Sequence, residues 1–448
     1  MIRIGSGTGF SGDRLEPAVI LAEKGNLDYL VLECLAERTI ALAQKRKRHN
    51  ANHGYDPLLE KRMDLLLPVI KEKGIRLITN MGAANPIAAA EKMVELAHKM
   101  GLSIKVAAVT GDDVFEHIHP EQRTLETGEP LSVYGSLISA NAYMGVEAIL
   151  PALESGADII VTGRVADPSL FVAPMVHHFG WSLDDLDRLA QGTVIGHLLE
   201  CGGQITGGYF ADPGKKEVPD FANLGYPFVD VHSDGTAIIG KVDGTGGVIN
   251  LMTAKEQLLY EVTNPAEYMT PDIAADFTQV HLQEVAPYRV EVTGGRGKYI
   301  PSTLKVSVGY DAGFIGEGEI SYAGANALAR AQLAGEVIRT RLKEKFSELR
   351  VDYIGQTSVH RTSFNGYSEP YEIRLRVAGR ASTMEEAKLI GEEVEALYTS
   401  GPAGGGGARK YVYEVIGIVS VFIPREKVKS EVSIREVKDE KEIISSGS

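Results

Sequence analysis

One local phrase recurs four times in the N-terminal part of the chain: a helical stretch, a glycine, a short apolar run and a polar loop. It reads "AEKGNLDYLVLE" around Gly25, "KEKGIRLITN" around Gly74, "HKMGLSIKVAAVTG" around Gly101 and "LESGADIIVTGR" around Gly156. A glycine just past a helix lets the backbone leave through positive φ. The apolar runs lack strict alternation, as strands buried on both faces do. Helices before and after such strands call for right-handed crossovers and a parallel sheet. The expectation is an α/β fold with an N-terminal doubly wound, mostly parallel sheet. The likeness is one of pattern, not of sequence, so no solenoid follows.

Open parallel sheets bind ligands outside the carboxyl ends of their strands. Polar, glycine-bearing loops follow each predicted strand here. Gly5 to Arg14 follows the first; "ECLAERT" (Glu33, Glu37, Arg38) the second; "NMGAANP" (Asn80, Gly82, Asn85) the third. "TGDDVFEH" (Asp112, Asp113) and "TGRVADPSL" (Arg164, Asp167) follow the fourth and fifth. Their convergence on one edge is the main functional signal, weighed against the plain fact that loops are polar because they lie at the surface.

The second half reads as α+β. "DVHSDGTAIIGKV" predicts a strand pair about Asp234-Gly235, and "YRVEVTGG", "LKVSVGY" and "YEIRLRVAG" alternate as half-buried strands do. A helix is expected near 324–346, and Thr383 with Glu386 forms a capping-box pattern before another. The breaker-rich "ADPGKKEVPD" suggests a boundary at 210–225. This gives 1–215 as the parallel domain, 216–430 as the α+β domain and 431–448 as a charged tail.

Charge and cysteine usage remove several function classes. The 448-residue chain carries a formal net charge of -14, against the basic face that nucleic-acid binding requires. Its two cysteines, Cys34 and Cys201, provide no disulfide framework and suit a reducing compartment. No spanning run of apolar residues occurs, and the start reads too short and too glycine-rich for a signal peptide. A cytoplasmic, non-membrane protein is expected.

The opening "RIGSGTGFSGDR" contains Gly7-x-Gly9-x-x-Gly12, with Glu33 about twenty residues on, the written form of a dinucleotide fingerprint. The helix, however, is expected to start near Asp13, whose charge would lie where a pyrophosphate belongs. Three readings stay open: a dinucleotide loop, backbone N–H groups of Gly7, Gly9 and Gly12 presented with Arg14 to a carboxylate or phosphate, and a tight turn. In "GRVADPSL", Asp167 and Pro168 suit a helix start, which leaves Arg164 free as a planar fork for an anion. Asp167 is then a candidate acid or base. "GHLLECGGQITGGYF" ends a helix expected from Ser182 with Leu183, Leu186, Leu189 and Leu198 in its core. Cys201 reads as a small buried residue, because a helix C-terminus does not favour a thiolate. His197 and Cys201 are too few to make a metal site, and none is expected. Glu200 is a candidate base once burial raises its proton affinity. Asp243 and Tyr260 are candidate polar contacts, Tyr260 also a proton donor. "GPAGGGGARK" lacks the ending of a P-loop, and "QKRKRHNANHG" reads as a solvated basic helix end.

Taken together, "GSGTGFSGDR", "DYLVLECLAERTIA", "TNMGAANP", "VTGRVADPSL", "GHLLECGGQITGGYF" and "EQLLYEVTNPAEYMTPD" resemble the acyclic terpene utilisation (AtuA-type) family. They run in order to about residue 275; the remainder matches in general character. The resemblance implies breakdown of branched acids through coenzyme A thioesters, and a small partner subunit in place of an additional C-terminal piece that longer members carry. The resulting expectation is a hydratase or lyase acting on a small branched carboxylate or its coenzyme A thioester, within a homo-oligomer. Arg164, the Gly7–Gly12 loop, Asn80, Gly82 and Asn85 would hold the substrate; Asp167, Glu200 or Tyr260 would move the proton. No tightly bound cofactor is expected, coenzyme A entering only as part of the substrate. An acyl-coenzyme A-binding or scaffold subunit and a nucleotide-dependent oxidoreductase are the alternatives.

Overall fold

Five parallel strands form the centre of the main sheet in a computed structural model that describes residues 1–360 and 370–436. Their spatial order is Ile2–Ser6, Tyr29–Leu32, Arg76–Thr79, Ile159–Thr162 and Lys105–Thr110. The last two are exchanged relative to chain order, so the crossover from Arg76–Thr79 passes over the place that Ile159–Thr162 later fills. Alternate residues of each strand feed opposite cores. Tyr29 and Val31 face the helices Val146–Glu154, Ser169–Phe179 and Leu186–Glu200, whereas Leu30 and Leu32 face Glu16–Lys24, Leu59–Lys73 and Pro86–Lys99. Burial on both faces is why the runs read as continuously apolar.

Antiparallel strands extend this core on both sides. Pro227–Val231 pairs with Ile2–Ser6, followed outward by Ala237–Lys241, Arg289–Thr293 and His281–Ala286. On the far edge Glu431–Glu436 pairs with Lys105–Thr110. The chain therefore groups differently from the expected split at 215. One unit comprises Met1–Val133, Ile138–Gly309 and the chain from Ile418; the other comprises Tyr134–Leu137 and Tyr310–Gly417. The breakers at 210–225 mark a loop within one sheet. The start of the expected tail is an edge strand, because Val432 and Ile434 alternate with polar residues; 437–448 lies outside the described residues.

Among the described residues of the second unit the main elements run strand, helix, strand, strand, helix, strand, the last strand being part of Gly406–Pro424 and a short helix, Leu397–Ser400, preceding it. Antiparallel pairs join Phe314–Ala323 to Glu372–Ala381 and Leu349–Ile354 to the same strand. With helix Ala327–Leu342 between the first two strands and Met384–Glu395 before Gly406–Pro424, this is the split βαβ arrangement of ferredoxin-like domains. The capping box is present: the Thr383 hydroxyl accepts from Glu386 N at 3.2 Å and the Glu386 carboxylate from Thr383 N at 3.3 Å.

Local expectations shift where tertiary packing intervenes. Gly74, Gly101 and Gly156 adopt φ of 68°, 68° and 72°, but Gly25 does not; Asn26 takes the left-handed position at 52°. The first crossover helix begins at Glu16 rather than Asp13, and the Leu186–Glu200 helix begins after Ser182, leaving Leu183 exposed. No described helix is long and apolar enough to cross a membrane.

Gly82 shows how tightly the strand-end loops pack. A Cβ there would lie 2.4 Å from the Thr162 carbonyl and 2.8 Å from Pro86 Cα, both backbone. Gly82→Ala is expected to cost about 1–3 kcal/mol, read as a lower midpoint in chemical denaturation with an unchanged slope.

Candidate functional site

Each parallel strand ends in a loop hydrogen-bonded to its neighbours' loops. The Thr8 hydroxyl donates to the Glu33 carbonyl at 2.5 Å, and Asn80 receives Cys34 N at 2.7 Å while donating to the Glu33 carboxyl at 2.9 Å. Asp112 accepts from Arg164 N at 2.9 Å and from Asn141 at 2.8 Å. At the centre lies Arg164, whose side chain is only 1% exposed. Its Nη1 donates to the Leu35 carbonyl at 2.5 Å; Nε and Nη2 reach the Val165 carbonyl at 2.9 and 2.7 Å; Nη2 also pairs with Asp167. The guanidinium is thus spent on the protein itself. Arg164 supports the site from below and does not present an anion fork, which corrects the sequence reading. The loop position was legible; the saturation of its donors was not.

Above Arg164 opens a cavity of about 220 Å³. Asp167, Glu37, Tyr143, Tyr268 and Lys305 bring polar groups to it; Pro168, Met269, Pro271, Pro301 and Leu304 form apolar wall. The Tyr143 ring has the Arg164 guanidinium 4.5 Å and the Lys305 ammonium 5.1 Å from its centroid. Its hydroxyl donates to Glu37 at 2.6 Å, and Lys305 lies 3.4 Å from the same carboxylate. Two buried or half-buried charges hold the wall in place. Asp272 accepts from Val146 N at 2.7 Å and from the Ser169 hydroxyl, so it joins the Thr270–Asp272 loop to two helix starts. Arg425 donates to the Pro271 and Pro301 carbonyls at 2.6 and 3.2 Å.

Acids outnumber cations here, and proton affinities follow. Burial raises the Glu33 carboxyl well above its ordinary range, and the charge of Asp167 adds to this. Asp167 is also raised, chiefly by burial, which outweighs the attraction of Arg164; 36% of its side chain stays accessible, but to a narrow cavity. Burial lifts Glu200 to about 7 despite a 2.9 Å contact to His197 Nδ1. Asp112 is lifted to about 6 by burial. Glu37 goes the other way. Burial opposes its ionisation, but the Tyr143 hydroxyl, its own backbone N–H, Lys305 and Arg164 together hold it at about 2. Burial also pushes the Tyr268 phenol and the Cys201 thiol up, favouring the protonated form of each. Glu261 sits in the left-handed region at φ 59°, and its charge acts on Asp167, Glu200, Cys201, Tyr260 and Tyr268.

The other expected residues scatter in role. Asp13 fills the glycine-rich loop with its own carboxylate, accepting from Gly9 N and Arg14 N at 2.9 Å each and from the Tyr226 hydroxyl. Of the three open readings, the backbone of this loop is a turn built on an internal acid, and the Arg14 side chain stays half-exposed beside it. Gly7 and Gly12 pack against Leu32 and Phe10. Asn80 is fully buried and braces loops; Asn85 caps the Pro86–Lys99 helix and ties down the Ala51 and His53 carbonyls at 2.8 Å each. Neither lines the cavity, nor does Gly82. Glu200 lies behind the wall: His197, its partner, packs 5.2 Å from the Tyr268 ring. Gly9, Arg14 and Tyr260 line a different cavity. Among the described residues, no group of three or more His, Cys, Asp or Glu side chains is placed to hold a metal ion. Sequence reading missed Tyr143, Tyr268, Lys305 and Glu261. Tyr268 lay within the quoted "EQLLYEVTNPAEYMTPD", and Tyr143 directly follows the strand Leu137–Ala142.

The family model described as acyclic terpene utilisation family protein AtuA matches residues 2–434. The chain is a member of the AtuA family. No curated protein matches it. Membership extends the likeness past residue 275 through the second unit, and it assigns the chain a role in acyclic terpene utilisation.

Two measurements test the electrostatics of this AtuA family member. The folded-state proton affinity of Glu200, at about 7, exceeds its ordinary value. The native state therefore binds a proton that the unfolded chain has already lost, and stability falls as pH rises from about 4.5 through about 7. Glu200→Gln is expected to remove on the order of 1–3 kcal/mol of that fall, read as a flatter stability profile from mildly acidic to mildly alkaline buffer. Arg164→Lys, which keeps the charge but loses the fork, is expected to cost about 3–5 kcal/mol, measured by urea denaturation.

Proposed function

We propose that the protein is a catabolic hydro-lyase that adds or removes water on a small branched carboxylate or its coenzyme A thioester. One observation carries this reading. Asp167 reaches a small, largely apolar cavity while Arg164 fixes its position and burial raises its proton affinity. A carboxyl group held in place with its proton affinity raised by burial can take a proton and return it. Lys305, half-exposed in the same cavity, supplies a cation for a carboxylate or a polarised carbonyl oxygen. The proline, leucine and methionine walls suit a branched hydrocarbon skeleton.

In the elimination direction Asp167 takes the proton from the carbon beside the carbonyl. The electron pair forms the double bond as the carbon–oxygen bond breaks, and the leaving hydroxide takes the Tyr268 phenol proton to become water. Return of the proton from Asp167 to Tyr268 resets the site. Lys305 offsets the negative charge that gathers on the carbonyl oxygen meanwhile.

A panel of branched hydroxy acids and their coenzyme A thioesters, followed by loss or gain of the conjugated double bond, identifies the substrate. On that substrate Asp167→Asn is expected to lower kcat by about 10²–10⁴-fold. Lys305→Met is expected to act mainly on KM, raising it about tenfold. An Asp167→Asn protein that turns over at the wild-type rate overturns the assignment.

A further inference from the structure

A second cavity, of about 390 Å³, opens beside the glycine-rich loop. Its most unusual feature is exposed aromatic surface. Phe10 is 61% and Tyr209 89% exposed, although large rings usually lie buried. Tyr209 also holds a left-handed backbone at φ 60°, a conformation that costs any residue with a Cβ. Strain and exposure coincide at Tyr209, as they do less strongly at Tyr288, and at Tyr209 the exposed ring lines a cavity. The Tyr260 ring meets Tyr209 edge-on, with centroids 6.5 Å apart, and this pair also lines an adjoining cavity of about 320 Å³.

The remaining wall is locally polar. Gly9, Gly203 and Gly208 line it without side chains, and a Cβ at any of them would come within 3.0 Å of the protein's own neighbouring atoms, so these positions stay bare. On one side lies the Asp13 carboxylate, whose Oδ1 accepts from Arg14 N and the Tyr226 hydroxyl while Oδ2, among the described residues, accepts only from Gly9 N and keeps a lone pair. Next to it the half-exposed Arg14 side chain donates through Nη1 to the Ala222 carbonyl at 2.9 Å, with its other donors available. Stacking surfaces, bare glycine positions, an acceptor and a cation form a set that recognises one chemistry. We propose that this cavity binds a planar, amine-bearing heteroaromatic ring, stacked on Phe10 and Tyr209, with the ring amine directed to Asp13 and an anionic substituent to Arg14. The ring subsite stands independently of the reaction assigned to the first cavity.

Calorimetric titration with adenosine, adenosine monophosphate and indole-3-carboxylate tests it. Adenosine is expected to bind and the monophosphate to bind more tightly, with Arg14→Met abolishing the difference. Indole-3-carboxylate, which has the ring and the charge but no amine, is expected to bind more weakly than the monophosphate. Phe10→Ala and Tyr209→Ala should each weaken binding about tenfold. Tyr209→Gly, which relieves the backbone strain as it removes the ring, should weaken binding equally while raising the thermal midpoint. Asp167→Asn should leave ring binding unchanged. Absence of binding by all three compounds overturns the proposal. So does binding that survives both aromatic substitutions, or binding lost in Asp167→Asn, which would place the ring in the first cavity.

Discussion

A single buried guanidinium organises the carboxyl edge of the sheet. Arg164 leaves the Ile159–Thr162 strand and bonds to the loop after Tyr29–Leu32 through the Leu35 carbonyl, to its own loop through Val165, and to Asp167. Its backbone N–H engages Asp112, at the end of a third strand. A cation removed from water is tolerated only when its donors are satisfied and its charge is matched. Here carbonyls satisfy the donors and carboxylates match the charge. Strand ends far apart in sequence are thereby held together, and the cavity inherits their rigidity.

The same arrangement sets the acid–base character of the cavity. Arg164 and Lys305 stand among Glu33, Glu37 and Asp167, so full ionisation would leave uncompensated negative charge in a poorly hydrated space. The contrast between Glu37 and Glu33 shows how the conflict resolves. Glu37 sits at the start of the Glu37–His49 helix, with a phenol and two cations to stabilise its charge, and stays ionised. Glu33, four residues earlier, has an amide and a backbone N–H against complete burial, and retains its proton affinity. Separation of carboxyl groups into ionised and protonated members is what a site needs to hold charge and move a proton at the same pH.

The parts of this architecture legible in the sequence are those set by local rules. The helix–glycine–strand phrase predicts the parallel centre because period and turn chemistry act within about ten residues. The polar loops after the strands are legible for the same reason, and they do meet. What escapes sequence reading depends on contacts between distant segments. Lys305 reaches Glu37 across 268 residues, and nothing near Lys305 announces it. Arg164 was found by its position, but the identity of its partners is tertiary information. The edge strand Glu431–Glu436 was hidden by its charges, which are what an edge strand carries to stay soluble.

The opening glycines make the same point in reverse. Their spacing is that of a dinucleotide loop, yet each has a use within the chain. A Cβ at Gly7 would meet the Leu32 side chain at 2.6 Å, and one at Gly9 would lie 2.5 Å from the Cys201 backbone. The loop donors that a pyrophosphate would attract already bind Asp13. Glycine spacing records where the backbone must pass close to something. Whether that something is a phosphate or another part of the same chain is decided by the charge placed at the centre of the turn, and here the chain supplies its own anion.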